Sequence, residues 1–169
     1  EMLVQSIQGG WYKPKPVRRV EIPKPDGGVR LLGVPTVIDR MIQQAIVQVL
    51  QPIFEPTFSV SSYGFHPERN AQQAIKRARE YYDDGYTQVV DIDLAKYFDT
   101  VNHDILIDMV RAEVKDESVI KLIRKFLKSG VMVNGLVSQT TEGTPQGGNL
   151  SPLLSNIYLT SFDRMLESR

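Results

Sequence analysis

"VVDIDLAKYFDTVNHD", residues 89–104, decides how this chain is to be read. It opens as an apolar run of the kind that builds the middle of a sheet, yet it carries Asp91 and Asp93, with Asp99 and Asp104 close behind. The run predicts a strand over 87–94. Side chains alternate along a strand, so Val89, Asp91 and Asp93 share one side and Val90, Ile92 and Leu94 the other. The second set is expected to face a core. A buried carboxylate is costly unless it is paired or holds a metal. Magnesium takes hard oxygen ligands, one or two carboxylates completed by phosphates and waters, and an Asp on a rigid strand suits it. The strand alone leaves two readings open: a polar strand end, or a post for a divalent ion.

Working outward, the bulk composition adds an electrostatic frame. The 169 residues include 20 Lys+Arg and 20 Asp+Glu, a net charge of zero, and no cysteine, which excludes disulfides and Cys-based zinc sites. The balance is uneven: residues 1–40 hold 7 basic against 4 acidic residues, 81–120 hold 3 against 10, and 121–169 hold 6 against 3. Basic flanks around an acidic middle suit a protein that holds polyanions at its rims and cations at its centre, although solvated helix faces give the same totals. No run is long and apolar enough to span a bilayer, and no signal peptide is visible, so an intracellular, non-membrane protein is expected.

Upstream of the strand, "VRRVEIP" (17–23) and "VRLLGV" (29–34) flank the turn sequence "KPDGG" and predict a hairpin with basic residues near its tip. Thr36 reads as an N-cap, with apolar spacing that predicts a helix to about Leu50, closed before Pro52. After the loop "SSYGFHPERN", a helix rich in Arg and Lys is expected over about 69–82, stopped at Gly85. Downstream, helices are expected near 102–113 and 117–128, then a hairpin turning at Asn134-Gly135. Ser151 is expected to cap a last helix with Pro152 at its first position. This order suggests an α+β (mixed α/β) fold with a mainly antiparallel sheet and flanking helices.

The motifs together carry a resemblance. "DLAKYFD" (93–99) resembles the first catalytic motif of reverse transcriptases, an Asp followed five residues on by an aromatic. "GTPQGGNLSPLLSN" (143–156) resembles their Pro-Gln-Gly motif. "IPKPDGGVRLLGVPTVIDRMIQQAI" (22–46) and "SSYGFHPERNAQQAI" (61–75) are similar to the fingers motifs of the group II intron-encoded reverse transcriptase/maturase branch. The similarity runs from about residue 17 to 160, and four motifs in order are far more specific than any one.

The resemblance implies fingers at 1–86 and a partial palm at 87–169, parts of one reverse transcriptase domain. It implies RNA-directed DNA synthesis, in which a primer 3′-hydroxyl attacks a dNTP on an RNA template with two magnesium ions clamping the reacting oxygens. Asp93 matches the metal-binding Asp, and the Leu94 carbonyl the backbone ligand beside it. Phe98 matches the aromatic under the incoming sugar. Lys24 and Arg30 match the residues that hold the triphosphate, a point charge and a guanidinium fork. Gln146 matches the residue lining the nucleotide pocket, with Pro145, Gly147 and Gly148 near template and primer. Arg69 could track a template backbone, with Lys76, Arg77 and Arg79 behind it. Asp91, Asp99 and Asp104 are not assigned as ligands.

The pattern breaks in one place. The family's Tyr-x-Asp-Asp hairpin, expected after the Pro-Gln-Gly motif, is not found; "YYDD" (81–84) precedes the Asp93 strand and reads as a helix end. A fingers-and-partial-palm piece truncated before that hairpin is therefore expected to be inactive alone, and without bound magnesium of its own. The Asp93 strand is expected to lose a neighbour, and its open edge would favour a homo-oligomer. The rival reading within the branch is a maturase that grips group II intron RNA and supports splicing without polymerising. A metal nuclease also uses carboxylates and magnesium, but gives no reason for Phe98 or the Lys24/Arg30 hairpin. The parent is expected to be a bacterial retroelement protein.

Overall fold

The fingers-like hairpin anchors the architecture. In the computed structural model, which describes residues 1–25, 27–144 and 147–168, Val17–Pro23 (β1) pairs antiparallel with Val29–Val34 (β2), from Arg18 opposite Val34 to Pro23 opposite Val29. The turn closes where the Lys24 N–H donates to the Gly28 carbonyl at 2.7 Å. Gly27 there has φ +85°, a conformation that costs glycine little.

A short helix, Met2–Gln8 (α1), precedes the hairpin, and Val37–Phe54 (α2) follows it. Thr36 caps α2 as expected, accepting from the Asp39 N–H at 3.2 Å. Asp39 is itself buried and accepts hydroxyl hydrogen bonds from Tyr12 at 2.7 Å and Thr36 at 2.6 Å, which ties the N-terminal segment to the start of α2. Burial, with the Asp39 carboxylate beside it, raises the Tyr12 hydroxyl above its ordinary pKa. The helix does not close before Pro52 but runs through it to Phe54. Ile42, Ile46, Leu50 and Phe54, four residues apart, all enter the core. Burying Phe54 offsets the one helical hydrogen bond that a proline forfeits near a helix end.

The exposed helix Ala71–Asp83 (α3) starts at a reciprocal cap between Asn70 and Gln73. Then come Tyr97–Thr100 (α4), His103–Glu113 (α5) and Glu117–Leu127 (α6), the last two capped by Asn102 and Asp116. Val131–Val133 (β3) and Leu136–Ser138 (β4) form the second hairpin. Asn134 and Gly135 turn it at φ 50° and 81°, the left-handed pair that a two-residue hairpin needs. Ser151–Glu167 (α7) closes the described chain. Its N-cap is Leu150, one residue earlier than expected, so Ser151 is the first helical residue and Pro152 the second.

The four strands form one mixed sheet in the order β2-β1-β3-β4. Both hairpins are antiparallel, and the seam between them is parallel, Val17 opposite Val131 and Arg18 opposite Met132. The core below draws on α2, α5, α6 and α7, with Leu106, Ile107, Val110 and Ile123 fully buried.

The expected strand over 87–94 is corrected. Residues 86–94 have no regular secondary structure, and Val89 and Val90 are 88% and 83% exposed. Ile92 and Leu94 are exposed as well, so the expected core-facing side meets no core. Alternation says which side a strand would bury once paired; it supplies no neighbour, and a strand without a ladder is not stable.

Candidate functional site

One face of the hairpin sheet walls a cleft of about 460 Å³. Alternation along β1 and β2 aims Val17, Arg19, Leu31 and Gly33 toward it, and Lys24 at the turn and Arg30, one residue out of phase, also line it. The opposite wall is Lys96, Phe98 and Asp99, and the floor is Thr140 and Glu142 to Thr144. Four cations and two carboxylates therefore line one space open to solvent. Lys24, Arg30, Arg19 and Lys96 make no side-chain hydrogen bond or salt bridge among the described residues, so their charge is free for an incoming anion. An array of point charges beside a guanidinium fork is suited to phosphate oxygens.

Phe98 is held in that wall by backbone. The Thr144 N–H donates to the Phe98 carbonyl at 2.6 Å and the Gly143 N–H to the Val101 carbonyl at 2.8 Å. From the other side, buried His103 bonds the Gly143 carbonyl through Nε2 at 2.6 Å. A carbonyl accepts, so Nε2 donates, and Nδ1 has no protein partner among the described residues. Gly143 has φ +84°, and a Cβ on it would stand 2.8 Å from the Phe98 carbonyl oxygen. Next to Phe98, the Tyr97 hydroxyl donates to the Ser155 carbonyl of α7 at 3.0 Å, and burial raises its pKa.

The Gly147–Leu150 stretch is docked on α2. The Leu150 N–H donates to the Gln43 side-chain oxygen at 3.4 Å, and the Asn149 amide to that of Gln44 at 2.9 Å. A Cβ at Gly147 would meet the Gly33 carbonyl and Leu32 at 2.8 Å, and one at Gly148 the Gln43 oxygen at 2.8 Å. At Gly147 the close neighbours belong to β2, and at Gly148 to a side chain of α2. Pro145 and Gln146 lie outside the described residues.

Asp93 is exposed, carries no hydrogen bond or ion pair among the described residues, and borders a shallow hollow with Leu94, Lys96 and Phe98. Lys96 and Phe98 line both this hollow and the main cleft, so the two spaces adjoin. Lys96 itself has φ 51° and ψ 33°, a left-handed backbone unusual for a lysine. The Leu94 carbonyl accepts from the Tyr97 N–H at 3.3 Å and keeps a second lone pair. Asp93 and that carbonyl are hard oxygen donors that fit one magnesium ion completed by water and phosphate. Among the described residues no group of three acidic or imidazole side chains could hold a metal unaided.

Arg69 stands before α3 rather than on it. Its guanidinium donates to the Ser59 and Ser62 carbonyls at 2.6 and 2.7 Å and pairs with Glu55 at 3.4 Å, pinning the 59–69 loop. On α3, Arg77 pairs with Glu80 at 2.9 Å and stacks over Tyr81, and Arg79 reaches Asp83 at 3.9 Å.

The structure adds residues that sequence reasoning passed over. Arg19 and Lys96 join the cleft, and Gln43, Gln44, His103, Gly143 and Thr144 build its supports. Arg19 was visible only as one of two arginines in "VRRV", and alternation could have aimed it. The supports lie far from their contacts in sequence and left no local signal.

Comparison with known proteins identifies the family. Residues 22–169 match the family model described as reverse transcriptase (RNA-dependent DNA polymerase). Protein YkfC of Escherichia coli (strain K12) is 42% identical over 173 residues, covering 100% of this chain and 45% of that protein. The group II intron-encoded protein LtrA of Lactococcus lactis subsp. cremoris is 41% identical over 165 residues, covering 97% and 27%. The chain thus spans less than half the length of either. Among solved structures, a chain of a partial Cas6-RT-Cas1–Cas2 complex superposes with a TM-score of 0.62 at 27% identity, over 98% of this chain and 28% of that one. No helix among the described residues is long and apolar enough to cross a membrane. With motifs, cleft and kinship in agreement, the chain belongs to the reverse transcriptase family, in its group II intron-encoded reverse transcriptase/maturase branch.

Proposed function

We propose that this chain carries the nucleotide-binding part of an RNA-directed DNA polymerase, fingers at 1–86 and partial palm at 87–169. The observation that carries the reading is the single cleft that gathers Lys24, Arg30 and Phe98, three residues assigned a nucleotide role from sequence motifs far apart in the chain. In this reading Lys24 and Arg30, helped by Arg19 and Lys96, take the triphosphate of a dNTP. Phe98 lies under the sugar, where its bulk leaves no room for a 2′-hydroxyl, and Gln146, Pro145, Gly147 and Gly148 flank the templating base. Asp93 and the Leu94 carbonyl would hold magnesium, which when bound neutralises phosphate charge and orients the reacting oxygens. A second carboxylate motif on a neighbouring hairpin would complete the site. The template is RNA, the primer DNA, and the setting the interior of a bacterial cell.

The test is dNTP binding by the chain and by its Lys24→Ala/Arg30→Ala double variant. Losing two charge-assisted contacts should weaken binding by at least about tenfold. Unchanged affinity would remove the assignment. On a primed RNA template with magnesium, the chain by itself should incorporate no dNTP, and sustained synthesis would show that Asp93 needs no second motif.

Kinship with an intron-encoded protein favours a second reading, a maturase role in which the chain grips intron RNA without polymerising. Asp93→Ala separates the two in the complete protein: synthesis should collapse under the first reading, while RNA binding and splicing support survive under the second.

A further inference from the structure

A second hollow, of about 820 Å³, lies between α1, the loop that follows it and α6. Among the described residues it shares no lining side chain with the nucleotide cleft. Trp11, Lys13, Lys121, Arg124, Lys125 and Lys128 line it, and none of its described lining residues is acidic.

Lys121, Arg124 and Lys125 of α6 and Lys128 at its C-cap are spaced three and four apart, so they form one stripe beside the apolar stripe that enters the core. Like charges at that spacing repel and weaken an isolated helix. Part of the stripe is used internally. Lys125 Nζ donates to the Gly10 and Tyr12 carbonyls at 2.6 and 3.1 Å, which fastens the loop carrying Trp11, and Arg124 pairs with Asp104 at 2.6 Å. Lys13, Lys121 and Lys128 are exposed and form no salt bridge among the described residues. Trp11 is 58% exposed, and its indole edge lies so close over Gly9 that a Cβ there would be 2.7 Å from the indole nitrogen. The ring is positioned, yet more than half of it faces solvent.

A concave row of cations with one fixed aromatic ring is complementary to a polyanion that also presents flat rings. A protein acidic patch has the charge without the rings, and a bilayer surface is too broad for a hollow. We propose that this hollow docks a single-stranded nucleic acid, with phosphates on Lys13, Lys121 and Lys128 and a base stacked on Trp11. The proposal goes beyond the polymerase reading, because it concerns a surface separate from the nucleotide cleft and stands or falls independently of it.

Trp11 is the chain's one tryptophan, so its emission reports on this hollow alone. The experiment titrates the full chain with oligouridylate and, in parallel, oligothymidylate, reading both tryptophan quenching and the anisotropy of the labelled strand. Binding with quenching is expected in at least one arm, and the stronger arm identifies RNA or DNA as the ligand. Lys121→Glu/Lys128→Glu should weaken binding by about tenfold or more and flatten the salt dependence by about 1.4 in log–log slope, near 0.7 for each lost phosphate contact. Trp11→Ala should cost about tenfold. Lys121→Gln/Lys128→Gln, with thermal melting to check folding, guards against an effect of the reversals on stability. The Lys24→Ala/Arg30→Ala variant should keep the quenching even where dNTP binding is lost. Strand binding without quenching, or equal quenching by polyglutamate or phosphatidylglycerol vesicles, would overturn the proposal.

Discussion

At Gly143, a single hydrogen stands where any other residue would push the wall of the nucleotide cleft. Its left-handed backbone and the 2.8 Å approach to the Phe98 carbonyl leave a Cβ nowhere to go except into main chain. Gly143→Ala should cost about 1–3 kcal/mol in stability, and should weaken dNTP binding by displacing Phe98. Thermal melting and nucleotide titration measure the two effects, and a variant that melts and binds as before would show the approach to be unimportant. The sequence marked glycines in this motif but not their reason. Gly147 and Gly148 read as places where a template strand comes close, whereas the neighbours in the structure are Gly33, Leu32 and Gln43. Residue type reports that room is needed, and only the fold says for what. Arg69 reads in the sequence as a cation that could track a phosphate backbone, and in the structure its guanidinium also holds two carbonyls of the 59–69 loop and Glu55.

At the scale of elements, local signals were read well and partners poorly. Both hairpins were visible from their turns and α2 from its Thr36 cap, because those determinants sit within a few residues of one another; the short helices α1 and α4 were not expected. The segment 87–94 differs: its strand-like alternation is plain, but the ladder that would realise it comes from elsewhere. Its amides should therefore exchange with solvent near intrinsic rates in dilute solution. If the open edge pairs between copies, as its exposed valines favour, protection there should rise with protein concentration, together with the solution mass. Hydrogen exchange across a dilution series measures this; protection that is already full at the lowest concentration would show an intrachain ladder. Helix α2 shows the opposite failure of local reading, since burial of Phe54 carries it past the Pro52 expected to stop it.

For the molecule as a whole, one core joins α2 from the first half of the chain to α5, α6 and α7 from the second. The two halves named fingers and palm are thus expected to unfold together. Leu106→Ala, at a fully buried position, should cost about 2–5 kcal/mol and lower the midpoint of a single transition. Two separated transitions in calorimetry, one unaffected by the substitution, would refute a shared core. The fold class and the charge asymmetry were legible in the sequence because both follow from composition and period. The basic flanks supply Lys13, Arg19, Lys24 and Arg30 from one end and the α6 stripe from the other. That they divide between two separate hollows is a property of the packing.

The parallel seam between β1 and β3 has a consequence for how the protein is made. Its two rungs join Val17 to Val131 and Arg18 to Met132, so every residue up to β3 must leave the ribosome before they can meet. Until then the first hairpin has an uncovered edge along β1. The nucleotide cleft, with Val131, Thr140 and Gly143 in its lining, is therefore completed only once β3 has joined the first hairpin.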